Sequence, residues 1–287
     1  MASQEKIGVV GAGLMGREIA LVFALAGYDV LLCDRTEESL TQAKDRLDQI
    51  VEKGIARGFY QAADTVGVLN RITTTTDLGR FKDRDFVTEA VFEREDVKAE
   101  VFVRLDGICA PACVIATNTS TIPISVLAAH VSAARRANFI GTHYFSPVSR
   151  MKLVEVMPGF DTAPATLELA MRLCRAVGKT PIAIKDVPGF AVNRLLHVLM
   201  IEAVRLVEEG VATPEDIDTA CKLGLGHPMG PFELMDATTS SLCLQAQEIM
   251  HEAYGERFRP RPLLKQRVRA GLVGGRGKPG WRTPRPS

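Results

Sequence analysis

The 287 residues correspond to about two domains at a typical ~150 residues each, and 46% hydrophobic with 24% charged residues are ordinary globular values, which excludes disordered, collagenous and coiled-coil classes. Thirty-five Lys and Arg against thirty-four Asp and Glu leave a net charge of +1, so a general polycation that coats nucleic acid or an anionic membrane is excluded as well. The six cysteines show no Cys-x-x-Cys spacing, which indicates neither a zinc site nor a disulfide framework and fits a reducing compartment.

Ile7 to Val10 is a short apolar run that ends at Gly11, and Leu14 to Ala26 follows with helical periodicity until Gly27 stops it. Tyr28 to Cys33 is a second apolar run, closed by Asp34, so the first fifty residues read as β-α-β with a right-handed crossover. Further strands are expected at Arg71 to Thr75, Phe86 to Val91, Val114 to Thr117, Phe139 to Tyr144, Leu153 to Met157 and Pro181 to Ile184, with helical stretches between most of them. Such alternation predicts an α/β fold with a doubly wound, largely parallel sheet whose ligand lies outside the carboxyl ends of the strands. Beyond Asp186-Val187-Pro188-Gly189 the pattern changes: Phe190 to Glu209 is one long helical run and no strand follows. The expected boundaries are therefore residues 1–187 for a Rossmann-type domain and 188–287 for an all-helical one. Thr213-Pro214-Glu215-Asp216 has the form of an N-cap with Pro at the first helical position. The tail beyond Gly274 is rich in Gly, Pro and Arg and reads as loosely ordered. No apolar run reaches the ~18 residues of a bilayer span, and apolar structure opens at Ile7 without a preceding secretory segment, so no membrane association and a cytoplasmic location are expected.

Gly11-Ala12-Gly13-Leu14-Met15-Gly16 is a G-x-G-x-x-G sequence between strand and helix, where backbone amides and the helix dipole hold a pyrophosphate. Asp34 ends the next strand 18 residues after Gly16, where a carboxylate accepts hydrogen bonds from ribose hydroxyls and repels a 2′-phosphate, which favours NAD over NADP. The proton-transfer group is not a Tyr-x-x-x-Lys pair, because the tyrosines at 28, 60, 144 and 254 are followed four residues on by Leu32, Asp64, Val148 and Phe258. His143 ends a predicted strand and Glu155 lies in the next one. If those strands form an antiparallel hairpin centred on Ser149, 143 and 155 fall opposite each other, and a glutamate in an apolar strand there orients the imidazole as a general base. His130, His197, His227 and His251 lack metal-ligand spacing. The stretch from Arg257 to Arg285 holds ten Lys or Arg and no acid but lacks interleaved aromatics, so it reads as a solvated tail or a cap over an anionic substrate, not as a nucleic-acid surface.

Together with the glycine motif, Glu89-Ala90-Val91-Phe92-Glu93, Asn118-Thr119-Ser120, His143 through Glu155, Val187-Pro188-Gly189-Phe190-Ala191-Val192-Asn193-Arg194-Leu195 and Gly226-His227-Pro228-Met229-Gly230-Pro231 make the chain resemble the 3-hydroxyacyl-CoA dehydrogenases over about residues 5 to 265. The likeness is greatest to the short, single-function 3-hydroxybutyryl-CoA type. The resemblance implies NAD as cofactor, an acyl-CoA substrate, a homodimer formed through the helical domain, His143 as base and Glu155 as its partner. It also implies that Ser120 and Asn193 hold the substrate oxygen, that Lys53 touches CoA, and that Gly11, Gly13, Leu14, Met15, Gly16, Asp34, Glu93, Lys98, Ser120 and Ser146 line the cofactor. Lys44, Arg46, Lys53 and Arg57 put cations on the helix after Asp34, consistent with a phosphorylated carrier and equally with a solvated helix face. Four places depart from the family pattern: Arg17-Glu18 replace small residues, Ser146 replaces an Asn, Thr238-Thr239-Ser240-Ser241 replace a Gly-Leu-Asp stretch, and the ending reads Gly277-Lys278-Pro279-Gly280-Trp281-Arg282. A carrier-protein-bound or free 3-hydroxy (sugar) acid substrate, and a non-catalytic crystallin-like NAD-binding role, are the alternative functions.

Overall fold

The structure, a computed structural model, describes residues 5–275 and 277–282. Arg276 and Arg285 of the basic tail lie outside the described residues, as do positions 1–4. Two compact units emerge, Met1–Val187 and Pro188–Ser287.

In the first unit β1 (Ile7–Val10) leads into α1 (Leu14–Leu25), β2 (Val30–Cys33), α2 (Glu37–Ala56) and the one-turn α3 (Ala62–Thr65). Then come β3 (Ile72–Thr75), β4 (Phe86–Glu89), α4 (Glu95–Ile108), β5 (Val114–Thr117), the short α5 (Ile124–Ala128) and α6 (Ala133–Arg136), β6 (Phe139–Tyr144), β7 (Leu153–Pro158), α7 (Pro164–Ala176) and β8 (Thr180–Ala183). The eight strands form one sheet in the order β3-β2-β1-β4-β5-β6-β7-β8. Every residue of β1, β2, β4 and β5 is buried, because helices cover both faces of the sheet, and this is why β1 and β2 read as continuous apolar runs instead of alternating ones. Pairing is parallel from β3 through to β6, and β7 runs antiparallel to β6. The strand order reverses between β1 and β4, so the loop leaving β1 opens at the switch point where such sheets bind ligands.

The second unit is helical among its described residues: α8 (Val192–Glu208), α9 (Pro214–Gly224), α10 (Pro231–Thr238), α11 (Ser240–Tyr254) and α12 (Pro262–Arg269). Its core gathers Met200, Val204, Ile217, Phe232, Met235, Leu264 and Trp281. Thr213 caps α9 by accepting from the Asp216 N–H at 3.2 Å. The expected helix start at Phe190 is displaced to Val192, since Gly189 and Phe190 take φ of 74° and 50° and a left-handed backbone cannot continue into an α-helix. The described part of the tail also differs from expectation. Asp236 accepts the Trp281 N–H at 2.8 Å and the Arg282 N–H at 3.1 Å, and the Trp281 indole donates to Ser240 Oγ at 2.9 Å while its ring packs 4.9 Å from that of Phe232. A buried indole with its N–H satisfied anchors what its Gly-Pro-Arg composition suggested would be loose.

Candidate active site

Most chemistry-bearing residues of the first unit follow the carboxyl ends of its parallel strands. The glycine loop follows β1, Asp34 follows β2, Glu89 ends β4, Asn118 to Ser120 follow β5, and His143 lies one residue from the end of β6. The antiparallel β7 brings Glu155 back into this edge, in direct register with His143. The imidazole Nδ1 stands 2.9 Å from Glu155 Oε2, with both residues buried. A carboxylate accepts only, so Nδ1 carries the proton and Nε2 presents its lone pair, which is the tautomer a base needs. The Phe145 ring packs 4.5 Å from the imidazole and restricts its rotation.

The glycine loop has the shape of an anion cradle. Gly11 takes φ 101°, open to glycine alone without strain. Gly13 is the N-cap of α1 and no side chain caps the helix there, so the orphan amides of its first turn remain for a ligand. A Cβ on Gly13 would meet no protein atom within 4 Å. Leu14 is exposed, Met15 half-buried and Gly16 buried. Asp34 accepts from the Ala12 N–H and the Arg35 N–H, each at 2.7 Å, which holds its carboxylate against the loop with two lone-pair positions to spare. These features fit a dinucleotide with its pyrophosphate at the α1 N-terminus and a ribose at Asp34.

Glu93 and Lys98 form part of a buried network. Lys98 is 0% exposed; its Nζ donates to Glu89 Oε1 at 2.8 Å and pairs with Glu93 Oε2 at 3.3 Å. Glu93 Oε1 accepts from Thr119 Oγ1 at 2.6 Å, from the Ser120 N–H at 2.7 Å and from the Thr121 N–H at 3.0 Å. Burial opposes ionisation of Glu93, but the Lys98 ammonium and these donors outweigh it and hold its carboxyl below the usual range. Burial pushes the Glu89 carboxyl up, with Lys98 and Thr117 pulling against it. Lys98 is thus linked through Glu93 to the backbone of Ser120, whose N–H Glu93 accepts. Ser120 itself is half-buried, Ser146 is exposed, and Lys53 is exposed in the last turn of α2. Asn193 belongs to the second unit, at the second position of α8.

Sequence reasoning missed Asn118 and Glu89 as participants. Asn118 Oδ1 accepts the Tyr144 N–H at 2.9 Å and so ties the loop after β5 to the end of β6. Glu89 also accepts from Thr117 Oγ1 at 2.7 Å and from the Val91 N–H at 2.7 Å. The signal that singled out Glu155, an acid in an apolar strand, was equally present at Glu89. Among the described residues no group of three or more His, Cys, Asp or Glu could hold a metal ion, and no helix is long and apolar enough to cross a membrane.

Comparison with known proteins agrees with this geometry. Residues 6–187 match the model of the 3-hydroxyacyl-CoA dehydrogenase NAD binding domain, and residues 189–283 match that of the 3-hydroxyacyl-CoA dehydrogenase C-terminal domain. The chain is 42% identical over 278 residues to a probable 3-hydroxybutyryl-CoA dehydrogenase of Deinococcus radiodurans, covering 96% of this chain and 99% of that protein. It is 41% identical to the mitochondrial hydroxyacyl-coenzyme A dehydrogenase of Sus scrofa, over 91% of this chain and 85% of the relative. Among solved structures, the (S)-3-hydroxybutyryl-CoA dehydrogenase of Ralstonia eutropha superposes with a TM-score of 0.93 at 35% identity, covering 99% of this chain and 100% of that one. With both family domains matched in order along nearly its whole length, the chain belongs to the 3-hydroxyacyl-CoA dehydrogenase family.

Proposed function

We propose that the chain catalyses the reversible NAD-dependent oxidation of a short-chain L-3-hydroxyacyl-CoA, such as 3-hydroxybutyryl-CoA, to the 3-oxoacyl-CoA. The observation that carries this reading is the buried His143–Glu155 pair at the same sheet edge as the glycine cradle. NAD supplies the acceptor for the hydride that leaves C3. His143 Nε2 takes the proton of the 3-hydroxyl as that carbon is oxidised, and returns it in reduction. Glu155, accepting at Nδ1, keeps the ring in the required tautomer and offsets the charge of the imidazolium. The family pattern assigns Ser120, its backbone clamped by Glu93, to the substrate oxygen, Asn193 of the second unit to substrate binding, and Lys53 in the last turn of α2 to the phosphorylated carrier. The carboxylate of Asp34 selects NAD by repelling a 2′-phosphate, and Ser146 contributes on the cofactor side.

The helical unit is assigned to self-association, since Leu195 and Val198 expose apolar side chains three residues apart on α8, with Leu195 76% exposed. All six cysteines are free thiols, which fits the reducing cytosol, the location we assign.

The test follows NADH absorbance with acetoacetyl-CoA beside free acetoacetate, with NADPH as cofactor control. Oxidation of NADH with the CoA ester alone is the expected result. Turnover only with a carrier-protein-bound or free 3-oxo acid would replace the substrate, and NADH binding without any turnover would make the protein a non-catalytic NAD binder. The His143→Ala enzyme is expected to lose roughly two or more orders of magnitude in kcat, as removal of a general base does; an unchanged kcat would remove His143 from the chemistry.

A further inference from the structure

The turn that joins β6 to β7 separates the two residues assigned to proton transfer, so whatever holds this turn also fixes where the imidazole sits. Three elements reach it. Lys179, which follows α7, donates from Nζ to the carbonyl oxygens of Val148 and Met151. From the segment after α2, the Phe59 ring lies under the Arg150 guanidinium, 4.8 Å from it. From α1, Glu18 accepts the Ser149 N–H at Oε2, 2.9 Å away and 131 residues along the chain.

Glu18 differs from the other two holds in where it stands. It lies on the helix that begins at the dinucleotide glycines, two residues beyond Gly16. The residue is 4% exposed, on a helix whose Ile19, Leu21 and Val22 are buried as well. An acid in that position loses its hydration and must recover it from donors. The Ser149 N–H is one such donor, and the Lys179 ammonium, which feels the Glu18 charge, is the nearby cation. The contact therefore binds the element that cradles the cofactor to the turn that aims the base.

We propose that Glu18 is a positioning residue for proton transfer: through the Ser149 amide it locks the β6–β7 turn to α1, and so sets the place of His143 relative to the glycine loop. The proposal rests on the reading of His143 as the base. In transfer reactions of this kind a displacement of about 1 Å costs on the order of 100-fold, so a loosened turn registers in kcat even when binding survives.

Glu18→Ala, Glu18→Met and Glu18→Gln variants of the full chain are compared for kcat, KM for acetoacetyl-CoA, NADH affinity by fluorescence, and amide hydrogen exchange over residues 146–151. Ala and Met, which cannot accept the bond, are expected to lower kcat about 10-fold or more, to leave NADH affinity within about 3-fold, and to speed exchange at Ser149. Gln keeps an acceptor oxygen and is expected to restore most of both kcat and protection. Met fills the volume of Glu, so it carries the test if Ala does not fold. Unchanged kcat despite faster exchange, unchanged exchange, a Gln variant as impaired as Met, or a loss of NADH affinity that matches the loss of kcat would each overturn the proposal. A fully active His143→Ala enzyme would instead sink the functional reading, and the exchange at Ser149 separates the two failures.

Discussion

A Cβ built on Gly16 stands 1.8 Å from the carbonyl oxygen of Gly11, whereas one on Gly13 meets open space. Both glycines belong to one motif, yet the fold itself requires only the first. Gly16→Ala is expected to push the loop apart, lowering the melting temperature and NADH affinity together. Gly13→Ala adds a methyl where no protein atom lies, so its stability is expected to stay within about 0.5 kcal/mol of wild type. Its NADH affinity, measured by fluorescence titration, is expected to fall about 10-fold or more, because the methyl stands where the pyrophosphate approaches. An unchanged affinity would mean that the loop is not the cradle. At this scale the motif was legible in the sequence because glycine has a physical reason to recur at fixed spacing. The bond from Ser149 to Glu18 was not, since its partners are 131 residues apart and no spacing rule relates them.

The β6–β7 hairpin shows how far alternation carries an argument. Two apolar strands about a centre at Ser149 predict the pairing of 143 with 155, and the register has Cα partners there. The side-chain period of two then puts both polar groups on one face. Helix α8 is a harder case, because its buried His197 carries no signal that distinguishes it from a surface histidine. Burial among apolar neighbours pushes its pKa down to about 4, with Cys243 Sγ 3.7 Å from Nδ1. In the unfolded chain the group titrates near about 6.5. Below that value the unfolded state takes up a proton that the folded state refuses, so stability falls as pH drops from about 6.5 to about 4 and this group adds no further slope below. The loss amounts to about 3 kcal/mol over that window. Urea unfolding between pH 4 and 7 is expected to show this slope, and His197→Gln to flatten it; an identical slope in the variant would assign the effect elsewhere.

At the scale of the molecule, the second unit leaves large apolar side chains in solvent: Leu195 and Val198 on α8, and Leu223 and Leu225 at the end of α9. Single exposed apolar residues are ordinary, but two on one helix face are the observation on which the proposed self-association of this unit rests. Sedimentation at micromolar concentration is expected to give twice the chain mass, and Leu195→Glu to shift it toward the monomer. A wild-type monomer would show that this face is merely exposed.

Local physics made much of this protein readable from its residues alone. Buried parallel strands had to be short apolar runs, the cradle had to be glycine-rich, and an acid in an apolar strand had to have a partner. These rules act within a few residues or across one hairpin. The tertiary structure decided the rest: that Lys98 is buried between Glu89 and Glu93, that Asn118 ties the loop after β5 to the end of β6, that Trp281 pins the described tail to Asp236 and Ser240, and that Glu18 accepts the Ser149 amide of the β6–β7 turn. The last three join groups 26 to 131 residues apart, and in all of them desolvation sets the partner, because a polar group taken out of water bonds to whatever the packing brings beside it.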